Sequence, residues 1–427
     1  MKRDHHPTSS RLRFAALACG VAAAFGPQIG SDGRLEFASA AAQAETVRPE
    51  VGKPLQAARD LIKAGKFKEA LVKLNEVDAV PNKTPFETFL LEQMRASAAS
   101  QAGDNEQAIK AFQAVLNSGR LSEAEQAKYA SMLASLYYRA KDYQNAASWA
   151  GRALKGNPND AAMRDLQIQS YFQAGDYQAA SREALADIQA AEKAGITPPE
   201  PKLLLLANVA SRNGDKTAYL AALERLVTYY PKREYWADLL RRIESKPGFS
   251  NRLTLELYRL KAATKTLATA NDYSEMAQLA LQEQQAAEAK KILDEGFATG
   301  VLGKGQEAER EKRLLALANQ RAVEAPGALK AAESDAANAR DGAELVRIGL
   351  AYTGLGEYEK GIGLIQQGIN RGGLKHKDDA DLQLGIALLR AGQKGRAATV
   401  LRSVGGTDGT ADLARLWLRV SEARTTG

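Results

Sequence analysis

The chain has 427 residues, 45% hydrophobic and 26% charged, with a formal net charge of +7. One Cys excludes an internal disulfide framework. The mild positive balance gives weak support for an anionic partner.

The N-terminus stands apart. Lys2, Arg3, Arg11 and Arg13 precede an apolar run from Phe14 to Phe25. Twelve residues are too few to span a bilayer as a helix, which takes about 20. An Ala-rich stretch follows, and Ala42-Gln43-Ala44 satisfies the small-x-small rule for signal peptidase. Residues 1–44 are therefore expected to be a cleaved secretory signal ending at Ala44, with Ala40 as the alternative cut. Cys19 lacks the Leu three residues earlier that a lipoprotein signal carries, and is taken as a bland thiol in the apolar run. Cleavage removes the one Cys, together with His5 and His6, and lowers the net charge to +5 by taking five basic and three acidic residues. The expected location is periplasmic, with outer-membrane association as the alternative. An exported chain is expected to have no nucleic-acid partner and at most peripheral membrane contact.

Beyond residue 50 a block recurs. Lys141-Asp142-Tyr143-Gln144-Asn145-Ala146 returns 34 residues on as Gly175-Asp176-Tyr177-Gln178-Ala179-Ala180. Anchored on the small closing residue, the units fall at Ala70, Ala108, Ala146, Ala180, Ala289, Gly361 and Ala397, with Tyr219 as a variant. The intervals are 38, 38, 34, 39, 70, 72 and 36, and the two long ones each halve to a normal period. Degenerate units are thus expected near Thr254 and Glu324, giving about ten helix pairs. In the third unit, helix A places Ala130, Leu133, Ala134 and Tyr137 on one face, and helix B offers Tyr143, Ala146, Ala150 and Ala153. Asn157-Pro158 and Tyr230-Pro231 end the helices before them. Trp149 and Trp236 are expected in the core. The Ala-rich region Ala322–Ala337, with Pro326-Gly327, is expected to be a loosened joint. The organisation is then 1–44, 45–321 and 322–427. The last helix, Ala411 to Arg424 with Leu413, Leu416, Trp417 and Val420, is expected to cap the stack.

These residues resemble the tetratricopeptide repeat family. The third, fourth and eighth units carry it best, through Leu133-Ala134…Tyr137, Gln167-Ile168…Tyr171 and Ile348-Gly349…Tyr352. No unit has the family's Trp early in helix A. The resemblance implies an all-α, right-handed superhelical solenoid with a C-terminal capping helix. The segments Tyr235–Leu240, Tyr258–Leu260, Ala277–Leu281 and Gly405–Trp417 also resemble a group of proteobacterial envelope proteins, which implies an address more than an activity.

Chemistry is hard to find in the chain. His376 lies in a charged helix entry, where Asp378 or Asp379 is the expected N-cap. Lys377-Asp378-Asp379-Ala380-Asp381 suits a helix N-terminus better than a metal site. Gly405-Gly406-Thr407-Asp408-Gly409 lacks the Lys-Ser/Thr of a phosphate-binding loop and is taken as a turn. No catalytic residue, metal ligand or cofactor is expected, and the chain is not expected to be an enzyme.

The resemblance implies that helix A lines a concave groove. Counting back from each anchor puts Gln93, Ser97 and Ser100, then Ser131, Ser135 and Tyr138, then Asp165, Gln169 and Phe172, then Leu204, Asn208 and Ser211, on that face. The favoured partner-binding set is Ser135, Tyr138, Gln169, Phe172, Asn208 and Ser211. The expected function is an exported scaffold that binds an envelope protein or peptide through this groove. Two alternatives are a glycan- or peptidoglycan-binding module with weak hydrolase activity, and a peripheral membrane assembly factor.

Overall fold

A computed structural model describes residues 46–422 and, as backbone alone, the two-residue antiparallel strands β1 (Gln28–Ile29) and β2 (Leu35–Glu36). The expected signal and its cleavage sites at Ala44 and Ala40 lie outside the residues so described. Between 46 and 422 the regular structure is helical. The first pairs are α1 (Pro49–Lys63) with α2 (Phe67–Asp78), α3 (Pro85–Ala102) with α4 (Asn105–Asn117), and α5 (Glu123–Arg139) with α6 (Tyr143–Gly156). Next come α7 (Ala161–Gln173) and α8 (Tyr177–Lys193), and then α9 (Glu200–Arg212) with α10 (Lys216–Tyr229). Then follow α11 (Arg233–Glu244) with α12 (Thr254–Ala263), and α13 (Ala270–Gln282) with α14 (Ala286–Ala298). A long helix α15 (Ala308–Ala337) stands alone before α16 (Ala343–Gly354) with α17 (Tyr358–Arg371), α18 (Lys377–Arg390) with α19 (Lys394–Ser403), and α20 (Thr410–Glu422).

The recurring sequence block is the turn between the two helices of a pair. Gly65, Gly103, Lys141, Gly175, Gly214, Gln284, Gly356 and Gly392 all have left-handed backbone, with φ between 57° and 87°. The next residue sends its N–H back to the carbonyl five residues earlier, in the last turn of helix A, as in Asp104 N to Ala99 O at 2.9 Å and Asp176 N to Tyr171 O at 3.0 Å. This is a Schellman ending. That same residue is the N-cap of helix B. In Asp104, Asp142, Asp176 and Asp215 the carboxylate accepts the N–H three residues on. The small anchor one position later then meets helix A: Ala70, Ala108, Ala146, Ala180, Ala289 and Ala397 are all fully buried. In the pair α16–α17 the approach is closest. A Cβ on Gly349 would sit 2.6 Å from the Gly361 carbonyl oxygen, and one on Gly361 would sit 2.5 Å from that of Gly349. The variant Tyr219 turns outward instead, donating to Asp238 Oδ2 at 2.8 Å beneath the Arg242 guanidinium.

Two compact units divide the chain, Met1–Ser170 and Tyr171–Gly427, and the boundary runs through α7. The expected organisation differs from this, and its boundary at 321/322 falls inside α15. In unit 1, Val51, Leu55, Leu74, Val77, Leu90 and Leu91 form one core. Ala130, Ala134, Ala150 and Ala153 sit in another with Met163. Trp149 packs on that core half-buried, with Arg152 over its ring. Buried Glu87 closes a capping box with Thr84 and also accepts from Arg48, with Arg48 Nη2 at 2.8 Å from Oε2 and the Arg48 backbone N–H at 3.0 Å from Oε1. Hydrogen bonds from Arg48, against the opposing effect of burial, hold its pKa down to about 2.

Unit 2 departs from expectation in two places. No helix pair forms near Glu324. Instead α15 runs unbroken for 30 residues, with Pro326 inside it. The stretch lacks the left-handed residue and Asp that make the turn elsewhere, so nothing reverses the chain. Nine pairs result. Leu314, Leu315 and Ala318 tie the start of α15 to the α13–α14 core, and Leu329 and Ala336 tie its end to the α16 core. No residue from 319 to 328 is buried. The second departure is α20. It packs on α18 and α19, as a cap would, and also on α10 and α12. Leu413, Leu416 and Trp417 are buried, while Val420 is half-buried. Trp236 is buried as well. The C-terminal third of unit 2 thus returns onto its beginning. Ion pairs fasten the joint: Lys246–Asp412 at 2.7 Å, Arg252–Asp379 at 2.7 Å, Arg252–Asp408 at 2.6 Å and Arg415–Glu224 at 3.0 Å.

Because the turn geometry is shared, Gly175→Ala is expected to cost about 1–2 kcal/mol through backbone strain alone, since its Cβ would meet nothing within 4 Å. Lys141→Gly is expected to raise stability by up to about 1 kcal/mol; urea unfolding of both variants checks the pair. Glu87 has a depressed folded pKa, so its contribution is complete above an unfolded value of about 4.3 and is lost as pH falls toward 2. Glu87→Gln is expected to lower the melting temperature at pH 7 and to flatten its decline in acid.

Candidate interaction surfaces

The six residues expected to line a groove occupy three helices. In unit 1, Ser135 of α5 is exposed and its hydroxyl donates to Ser131 O at 3.0 Å. Tyr138 lies one turn on, half-buried, edge-on to Tyr143 of α6 with ring centroids 5.3 Å apart. Burial pushes its phenol pKa upward. Gln169 of α7 is half-buried. In unit 2, Phe172 packs in the same way on Tyr177 at 5.7 Å, whereas Asn208 and Ser211 of α9 are exposed beside Leu204, itself 41% exposed. The two aromatics thus brace their own helix pairs, and the polar residues are the ones open to a partner. Gln93 of the second pair is used internally, donating to Tyr129 Oη at 3.0 Å.

The same repeat positions look different at the other end of unit 2. Counting back from Gly361 and Ala397 gives Val346, Leu350 and Thr353 of α16, and Leu382, Ile386 and Leu389 of α18. Leu350 and Leu389 are half-buried and the other four are buried. Their faces are covered from within the unit: Leu350, Thr353, Gln383, Ile386 and Arg390 surround a small space together with Glu256 and Arg259 of α12 and Gln285. At its centre Arg259 is 5% exposed and bridges two carboxylates, Glu256 at 2.6 Å and Glu288 of α14 at 2.6 Å. Arg390 reaches Glu288 at 2.8 Å, and Gln383 Nε2 donates to Glu256 Oε1 at 2.9 Å. Burial opposes ionisation of Glu288, but the charges of Arg259 and Arg390 outweigh it and hold its pKa well below the ordinary carboxylate range.

This cluster was missed at the sequence level. Its signal is present in Leu255-Glu256-Leu257-Tyr258-Arg259-Leu260, where an acid and a base three apart interrupt an apolar run. All six side chains are buried. Burial of such a pair requires partners from elsewhere in the chain.

The supposed N-cap of α18 needs correction. His376 holds the cap position, exposed, and both Asp378 and Asp379 lie in the first turn. They are drawn off by other elements: Asp378 Oδ1 accepts from Gly405 N at 3.1 Å, and Asp379 takes Arg252. The segment 404–409 forms the expected turn before α20. Among the described residues no group of three or more His, Cys, Asp or Glu side chains could hold a metal ion, and no helix is long and apolar enough to cross a membrane.

Repeated helix hairpins joined by one turn type and stacked by small anchors define a helical-repeat protein, an architecture that offers extended binding surfaces. The tetratricopeptide repeat family model matches residues 203–233, the α9–α10 hairpin with the variant anchor Tyr219. That match identifies the hairpin as a tetratricopeptide repeat. Among solved structures the chain is similar to a tetratricopeptide repeat protein from Parabacteroides merdae, at 17% identity and TM-score 0.31, over 64% of this chain and 99% of that one. It is also similar to the TPR2AB domain of yeast Sti1 in its pHSP90 complex, at 11% identity and TM-score 0.23, over 70% and 99%. A third is the Naa15/Naa10 assembly bound to HypK, at 14% identity and TM-score 0.30, over 85% and 58%. No curated protein matches the chain.

Arg259→Met is expected to destabilise unit 2 by about 3–5 kcal/mol, because it strands two buried carboxylates. Hydrogen exchange should rise in α12, α14 and α18 together; an effect confined to α12 would contradict the shared cluster.

Proposed function

We propose that the chain is an exported scaffold of the cell envelope that binds a partner protein or peptide, with no covalent step, through exposed helix-A faces, that of α5 in unit 1 and, separately, that of α9 in unit 2. One observation carries this reading. The repeat positions that resemblance assigns to partner binding are exposed at Ser135, Asn208 and Ser211 and half-buried at Tyr138, Gln169 and Phe172, whereas in the C-terminal pairs Val346, Thr353, Leu382 and Ile386 are buried and Leu350 and Leu389 half-buried. The C-terminal pairs have spent that face on their own chain, so the free face belongs to the earlier pairs. Ser and Asn there suit an extended peptide backbone, which offers both donors and acceptors. Tyr138, Gln169 and Phe172 are half-buried. Export rests on the basic n-region, the apolar run and the small-x-small sequence within residues 1–44.

The buried cluster gives no support to glycan hydrolysis at that place. Glu256 and Glu288 share one Arg, and the space beside them measures about 10 Å³, far too small for a sugar.

The test is photo-cross-linking in living cells followed by fractionation, with the probe at Asn208 or Ser135 and a control at the exposed Gln144. A discrete adduct at the first two sites, recovered with the envelope and absent at Gln144, is the expected result. Equal smears at all three sites would sink the surface, and adducts confined to the cytoplasm would sink the location.

A further inference from the structure

Within the buried cluster of unit 2, one oxygen has no partner. Glu256 is 4% exposed. Its Oε1 accepts from Arg259 Nη1 at 2.6 Å and from Gln383 Nε2 at 2.9 Å. Its Oε2 is buried and receives no hydrogen bond. A buried carboxylate oxygen left without a donor carries its full desolvation penalty. The same side chain lines the space of about 10 Å³ shared by Arg259, Gln285, Gln383 and Arg390, with Leu350, Thr353, Ile386 and Ala387 as the remaining wall. Roughly 10–15 Å³ by this measure is what a single water molecule occupies.

Charge and size together select the ligand. Arg259 and Arg390 bring two positive charges, and Glu256 and Glu288 bring two negative ones, so the cluster is neutral as it stands. A cation would be uncompensated between two guanidinium groups. An anion would face the Glu256 oxygen and would not fit. A neutral donor of one heavy atom meets both constraints. Acceptors for its second proton are at hand. Gln285 Nε2 is directed to Glu283 O at 3.3 Å and Arg347 O at 3.5 Å, and Gln383 Nε2 to Glu256 Oε1, which leaves both amide oxygens for such a bond.

We propose that this space binds one water molecule, which donates to Glu256 Oε2 and to a Gln285 or Gln383 amide oxygen. The water is then a structural component of the joint between α12, α16 and α18. It allows the C-terminal helices to close on α12 through charged groups without stranding a carboxylate. The site is independent of the partner-binding surface proposed above.

Magnetic relaxation dispersion of water nuclei, which counts long-lived internal waters, tests the site on the full chain, alongside a crystal structure that orders solvent. The expected results are density for one water within hydrogen-bond reach of Glu256 Oε2, and loss of one long-lived water in Glu256→Leu. Ala387→Val fills the space without touching the charged groups, and should lose the same water; it keeps the test open if Glu256→Leu fails to fold. An empty space in the crystal, an unchanged count in Ala387→Val, or Glu256 Oε2 turned onto a protein donor would each overturn the proposal. So would density with the short oxygen distances of a metal ion.

Discussion

The hydrogen bond from the residue after each left-handed turn residue, back to the last turn of helix A, is the constraint on which the repeats depend. The donor of that bond is at the same time the N-cap of helix B, so the end of one helix and the start of the next share a residue. No slack remains between them. Each added residue would rotate helix B by about 100° and carry the alanine anchor away from helix A. The tight turn therefore also decides which residues are small, and the pairing of Gly349 with Gly361 is the extreme case. A side chain can hold the left-handed position, as Lys141 and Gln284 do, at a cost that packing offsets.

Where the turn chemistry is missing, the chain does something else. α15 runs straight through the expected reversal, anchored at its two ends and free of buried residues in its middle. Pro326 is tolerated there because a solvated stretch can satisfy the freed carbonyl with water.

The second organising feature is the return of α16–α20 onto α10, α12 and α14 within unit 2. An apolar seal would bind more tightly per area than paired charges do. The cluster of Arg259, Glu256, Glu288, Arg390 and Gln383 can instead close in one arrangement only, since any slip leaves a buried charge unpaired. A helix-A face is thereby covered by the chain itself, whereas Ser135 on α5 and Asn208 and Ser211 on α9 stay exposed. Polar residues dominate those two faces, and the nearest aromatics, Tyr138 and Phe172, are braced against Tyr143 and Tyr177.

Most helices, their turns and their anchors were legible from the linear chain, because those features are local: a left-handed residue, an Asp cap and an Ala one turn later act over a few residues. The ends at Asn157-Pro158 and Tyr230-Pro231 were legible for the same reason. The helix-A positions could be counted, but not whether they stay open. Ser211 and Thr353 hold the same place in their repeats, and one is exposed while the other is buried. That difference arises from α12 meeting α16 and α18, contacts between residues about a hundred apart, where charge pairing and burial depend on partners that no local window contains. The sequence by itself determined the hairpins; only the tertiary structure decided which of their faces remain available to another molecule.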